Sequence, residues 1–197
     1  MKRAIRIGAT GVTAGRRSNE MIRRIGMAGL ATVIAIGGFM FFGMVGRAAE
    51  LELGAKLPEV TAPDQDGSDV DLAAAGAGGY TLVYFYPKAD TPGCTKQACS
   101  LRDAYATLTE RGVRIFGVSA DDVEEQKAFQ KKYRLPFTLL ADSDKKVMDA
   151  FGVPYLGGFA KRQAFLFKDG VLIWRDLTAS TEQQARDVLE AIGDAGS

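Results

Sequence analysis

Hydrophobic and polar positions divide the chain into three regimes. Residues 25–46 are a run of 22 uncharged, mostly apolar residues. Residues 50–79 are rich in Pro, Gly, Asp and Ala. Within them, 60–62 and 70–72 flank Asp64-Gln65-Asp66-Gly67, a pattern that predicts a small hairpin. Residues 73–79 read as a small-residue loop. From residue 81 onward, short apolar runs alternate with amphipathic stretches. Residues 81–86 (TLVYFY) form a continuous run ended by Pro87, as in a central strand buried on both faces. A helix is predicted over 92–110, with Pro92 in its first turn, followed by a strand over 113–119. Asp122 with Glu125 three residues on opens a helix over 122–133. A strand at 137–141, a short helix at 144–151 ended by Gly152, and strands at 164–167 and 171–174 follow. Lys168-Asp169-Gly170 makes the hairpin turn between the last two, and a helix over 181–192 closes the chain.

Parallel crossovers followed by an antiparallel hairpin and a helix are the plan of a thioredoxin-like α/β sandwich. The expected fold is three-layered, with the N-terminal β-hairpin as an extension. No internal repeat and no second globular domain is visible. The expected organisation is a basic leader over 1–24, an apolar segment over 25–46 and one domain over 50–195.

As a helix, the apolar segment would span about 33 Å, enough for the hydrocarbon layer. It is expected to be an N-terminal membrane-targeting helix, either a retained anchor or the core of a cleaved signal peptide. Gly46-Arg47-Ala48 offers small residues for cleavage. Arg23 and Arg24 precede the run and Arg47 follows it. The stronger upstream flank places the domain on the exported face, anchored or periplasmic, with the membrane as a partner if the segment is uncleaved. Met21 is a second candidate start, and Arg16-Arg17 a weak twin-arginine signal.

The net charge of +1 conceals an asymmetry. Residues 1–49 carry eight basic residues and one acid, a net +7, which leaves −6 for residues 50–197. An acidic globular part lacks the clustered Lys and Arg that nucleic acid requires. There is no histidine, which excludes a Cys–His pair, a Ser–His–Asp triad and any His-ligated metal. Two cysteines are too few for a thiolate zinc site. Neither a metal nor a cofactor is expected, so any nucleophile here must be activated without an imidazole.

The stretch from Pro87 to Cys99 (PKADTPGCTKQAC) joins the buried strand to a helix. Cys94 falls in the first turn, where unpaired N–H groups and the helix dipole favour an anion, here a thiolate. Thr91 can place a hydroxyl beside the sulfur. Pro87 and Pro92 stiffen the loop. Ala98, Leu101, Tyr105 and Leu108 form the core stripe, and Cys94 lies on it one turn earlier, in a pocket of limited access. Cys99 lies about 140° around the helix, with Cα atoms about 8.6 Å apart on ideal geometry. A disulfide usually needs under about 7 Å. Bridging Cys94 and Cys99 therefore requires the first turns to unwind, which predicts a reduced, wound state and an oxidised, locally unfolded one.

Phe85-Tyr86-Pro87-Lys88, Thr91-Pro92-Gly93-Cys94-Thr95 and Ala98-Cys99 together resemble the peroxiredoxins, in particular the Q-type or bacterioferritin comigratory branch. The resemblance continues through Leu135-Pro136-Phe137, Leu140-Ala141-Asp142 and Ala150-Phe151-Gly152-Val153 to Arg162 and Phe165-Leu166. It implies a thiol peroxidase with Pro87, Thr91 and peroxidatic Cys94, an arginine matched by Arg162, and Cys99 as the resolving thiol. The implied substrates are hydrogen peroxide and organic hydroperoxides, and the implied partner is a thioredoxin-like dithiol reductant. The expected assembly is a monomer. The chain departs from the branch at Gln97, where Glu is frequent, at Lys161, where His is common, and in the loop 153–158.

Other functions fit less well. A thioredoxin-like dithiol-disulfide oxidoreductase, the alternative reading, usually has two residues between its cysteines, and here there are four. A copper-delivery protein would want a histidine ligand. A silent tethered interaction module would not need Pro87, Thr91, Cys94 and Arg162 together.

Overall fold

The computed structural model describes residues 49–195. The leader over 1–24, the apolar segment over 25–46 and the membrane-targeting helix expected there lie outside the described residues.

The predicted hairpin forms: β1 (Thr61–Pro63) pairs antiparallel with β2 (Asp69–Asp71). The expected loop after it instead begins with one helical turn, α1 (Leu72–Ala75). Asp71 causes this, because its carboxylate accepts the N–H groups of Ala73 and Ala74. β3 (Tyr80–Phe85) leads to α2 (Pro92–Asp103) and α3 (Tyr105–Glu110). A single helix over 92–110 was expected. The chain breaks at Ala104, at φ −98° and ψ 9°, with neither Pro nor Gly to mark the place.

β4 (Val113–Ser119) and α4 (Val123–Tyr133) follow, and both halves of the capping box between Asp122 and Glu125 are made. β5 (Thr138–Ala141) precedes α5 (Lys146–Phe151). The Asp142 carboxylate accepts the N–H groups of Val147 and Met148, each at 2.9 Å, and so ties the start of α5 to the sheet. β6 (Tyr155–Leu156) and β7 (Phe159–Ala160) make a second small hairpin, which was not expected. Gly157 and Gly158 turn it at φ 58° and 88°, a region costly for other residues. β8 (Gln163–Lys168), β9 (Val171–Asp176) and α6 (Gln184–Ala195) complete the chain.

The main sheet runs β5–β4–β3–β8–β9. β3, β4 and β5 are parallel, and β8 and β9 are antiparallel to their neighbours. This is the mixed sheet expected of the thioredoxin-like plan. Alternation along β3 explains its unbroken apolar sequence. Leu82, Tyr84 and Tyr86 face one buried cluster with Leu101 and Leu108 of the α2–α3 pair, Phe129 of α4 and Val188 of α6. Val83 and Phe85 face the other with Met148 and Phe151 of α5 and Leu72 of α1. Aromatic rings knit the second cluster, Phe151 lying 5.1 Å from Phe85 and 5.4 Å from Phe165 between centroids.

Gly117 of β4 sits against Tyr84 in the neighbouring strand. A Cβ there would fall 2.7 Å from the Tyr84 Oη and 2.8 Å from Leu139 Cδ2. Gly117→Ala is expected to destabilise the fold by about 1–3 kcal/mol through overpacking. Chemical denaturation measures this, and an unchanged midpoint would mean that the tyrosine yields freely.

Candidate active site

Sheet register brings the site together. β8 pairs with β3 so that Gln163 lies opposite Phe85. Arg162, one residue before β8, therefore reaches the end of β3, where the chain turns through Pro87 towards α2. Cys94, the third residue of α2, is 1% exposed. Arg162 Nη2 donates to Cys94 Sγ at 3.3 Å, although 68 residues separate them. Its Nη1 donates to Gln97 Oε1. Gly93 leaves room for this, since a Cβ there would lie 3.3 Å from Nη2. The guanidinium is thus a cation at hydrogen-bond distance from a buried sulfur. Burial pushes the nearby Tyr84 and Tyr86 phenols up, so they stay neutral and add no opposing charge.

Gln97 stands where the branch that the chain resembles often has Glu, a departure that weakens the case for a carboxylate orienting Arg162. The contact is kept, because an amide oxygen accepts the guanidinium N–H as a carboxylate would. Gln97 Nε2 in turn donates to Gln184 Oε1 at 2.8 Å, and both glutamines are fully buried.

The loop from Pro87 to Thr91 is held from below by groups the sequence did not single out. Asp121, 4% exposed, accepts from Ala89 N at 2.7 Å, Ser119 Oγ at 2.6 Å and Lys88 Nζ at 2.7 Å. Gln126 extends the network: its Nε2 donates to Ser119 Oγ and to the Leu140 carbonyl, and its Oε1 accepts from Tyr86 Oη. Lys88, which had no assigned role, is paired with Asp121 and Glu125, and these hydrogen bonds raise its pKa. Asp90 adopts a left-handed φ of 57° and is gripped by Lys132 and the Tyr133 hydroxyl. Those contacts hold its carboxyl below the usual range. The available signal for Asp121 was a Ser-Ala-Asp triplet at the end of β4, beside the strand that carries the cysteine loop.

Thr91 is the N-cap of α2, but its hydroxyl does not cap the helix. It donates to the Lys88 carbonyl at 3.0 Å, which leaves its oxygen lone pairs as acceptors. Pro87 is half-buried and borders a cavity of about 200 Å³, together with Lys88, Asp121, Gly158 and Phe159. Gly157, Gly158 and Phe159 of the β6–β7 hairpin thus line a cavity beside Pro87.

Cys99 is half-buried, and both cysteines are free thiols in the unbroken α2. This is the wound arrangement expected of a reduced state. α2 is also fastened to the approach of α6. Ser100 Oγ donates to the Glu182 carbonyl and accepts from Ala185 N, and Lys96 pairs with Glu182 at 2.8 Å.

The family model described as the AhpC/TSA family matches residues 53–175. A chloroplastic peroxiredoxin Q of Gentiana triflora is 43% identical over 127 residues, which are 63% of this chain and 58% of the relative. The chain thus spans under two thirds of the length of that curated relative. The solved structure of the peroxidoxin BcpB of Mycobacterium tuberculosis is 30% identical with a TM-score of 0.70, covering 75% of this chain and 100% of that one. The bacterioferritin comigratory protein of Xanthomonas campestris, described for its alkyl peroxide reduction activity, is 27% identical with a TM-score of 0.67, covering 76% of this chain and 100% of that one.

The expected exported membrane face is corrected by these relatives. The curated relatives, that of Gentiana triflora among them, are named as chloroplastic, which points to a plastid location. A basic, acid-poor leader serves more than one import route, so charge flanking an apolar run does not by itself fix the destination. Among the described residues, no helix is long and apolar enough to cross a membrane.

Asp121→Ala would leave the Ala89 N–H, the Ser119 hydroxyl and the Lys88 ammonium without their shared acceptor. The expected cost is about 3 kcal/mol. Urea unfolding measures it, and a loss under about 1 kcal/mol would show that water takes the place of the carboxylate.

Proposed function

This chain belongs to the AhpC/TSA family, within which it is of the peroxiredoxin Q type, and we propose that it is a two-cysteine thiol peroxidase. The observation that carries the proposal is the Arg162 guanidinium set 3.3 Å from a buried sulfur in the first turn of a helix.

In the proposed reaction the Cys94 thiolate attacks the terminal oxygen of a hydroperoxide. The O–O bond breaks, the alkoxide leaves and takes up a proton, and Cys94 becomes a sulfenic acid. Arg162, the Thr91 hydroxyl and the N–H groups at the start of α2 stabilise the charge that moves from sulfur to oxygen. Pro87 keeps the loop closed over the thiolate. The first turns of α2 then unwind. The Cys99 thiolate attacks the oxidised sulfur, the S–O bond breaks, the hydroxide takes up the proton released from the Cys99 thiol and leaves as water, and a Cys94–Cys99 disulfide forms. A thioredoxin-like dithiol reduces the disulfide by exchange and restores both thiols.

The substrates proposed are hydrogen peroxide and organic hydroperoxides, and the alkyl peroxide activity described for the Xanthomonas protein supports the second class. The catalytic domain is residues 50–195, with residues 1–24 and 25–46 preceding it. The working unit proposed is the monomer.

The experiment uses purified, reduced full chain and three thiol states. Cys94→Ser is expected to abolish peroxide consumption. Cys99→Ser is expected to consume one equivalent and to stop with one added oxygen on Cys94, seen by intact mass. Peroxide turnover that survives in Cys94→Ser would refute the mechanism.

A further inference from the structure

We propose that Gln184, acting through Gln97, is a positioning residue that holds the Arg162 guanidinium against the Cys94 sulfur. The proposal rests on the peroxidase reading of Cys94 and extends its site to α6.

The direction of the chain of hydrogen bonds is dictated by its first member. Arginine has donors and no acceptor. Gln97 must therefore turn its oxygen to Arg162, which drives its NH2 group away from the guanidinium. That group lies in a fully buried environment and needs an acceptor. Gln184 Oε1 supplies one at 2.8 Å. A carboxylate at position 97 would have no hydrogen to offer Gln184, so the amide at 97 and the acceptor at 184 form a matched pair. The amide–amide contact fixes the Gln97 rotamer from a second helix, on the side away from Arg162.

The support is rigid on the far side. Gln184 is the first residue of α6, a helix fastened into the core by Val188 and Ile192. Arg162 sits in a short segment between β7 and β8 and is itself only half-buried. A long side chain in that place has many rotamers, and only a few bring Nη2 to the sulfur. The relay selects among them, and it is electrically neutral. Gln97 takes up one guanidinium N–H without cancelling the positive charge, which stays directed at Cys94.

The test is a double-mutant cycle on the full chain in a Cys99→Ser background, so that Cys94 alone reports. Gln184→Met and Gln97→Met remove the amides at similar volume. Two readings are taken: the ultraviolet absorbance of the thiolate near neutral pH, and the rate of single-turnover oxidation by hydrogen peroxide. Gln184→Met is expected to lower the oxidation rate about fivefold, the value of one net hydrogen bond, and to reduce the thiolate absorbance. In the Gln97→Met background the same substitution is expected to change neither. Equal losses in both backgrounds would overturn the proposal, because Gln184 would then act independently of Gln97. No loss in either would overturn it as well. Should Gln184→Met fail to fold, Gln184→Asn, which withdraws the acceptor by one methylene, takes its place with the same expected outcomes. The thiolate reading needs no peroxide. A coupled loss of absorbance in a protein that leaves peroxide untouched would sustain the relay while sinking the peroxidase reading.

Discussion

A sulfur removed from water holds a negative charge only when a cation reaches it, and the cation must be kept from wandering. In this fold the Arg162 guanidinium stands at hydrogen-bond distance from Cys94, and much of the architecture can be traced to that contact. The two residues are distant in sequence and lie on different elements. Only the antiparallel pairing of β8 with β3 carries the arginine to the strand end from which the cysteine helix departs. A register slip of one residue would turn Gln163 and its successors to opposite faces and take Arg162 away from the sulfur. The aromatic packing of Phe85, Phe151 and Phe165 penalises such a slip, so core packing and site geometry share one constraint.

The loop between β3 and α2 is fixed by polar rather than apolar contacts. Its short span exposes backbone groups that no strand or helix can satisfy, and Asp121 is the group that satisfies Ala89. A buried carboxylate is costly to desolvate. It persists here because a lysine, a hydroxyl and a backbone N–H all point at it. The surface pairs Lys88–Glu125 and Lys132–Asp90 add little stability in water, though they restrict the same loop.

What could be read from the sequence was local or periodic. The run 81–86, the capping box at Asp122 and the turn at Lys168-Asp169-Gly170 each announce themselves within a few residues, and each forms where expected. α1 escaped notice because its signal was one carboxylate, Asp71, ahead of an alanine-rich stretch that reads equally well as loop. The break at Ala104 has no punctuating residue, since neither Pro nor Gly stands there. The β6–β7 hairpin did carry a Gly-Gly signal, but strands of two residues are too short for alternation to show. In the site, Cys94, Thr91 and Pro87 share one loop and could be named together. Arg162 was reached only through family resemblance. Gln126 and Gln184 were out of reach, since nothing in a linear pattern says which buried amide will meet which partner across the fold.

The fastening of α2 to the start of α6 carries a consequence for the timing of the proposed cycle. In that cycle the contacts of Ser100, Lys96 and Gln97 would hold α2 against the unwinding that brings Cys99 to the oxidised sulfur. The strength of that attachment acts as a delay line. A firm clasp prolongs the life of the sulfenic acid and invites a second peroxide to drive it to the irreversible sulfinic form, whereas a loose one protects the enzyme but leaves its resting pocket less often assembled. In the proposed cycle α6 would thereby set the balance between speed of capture and resistance to self-poisoning.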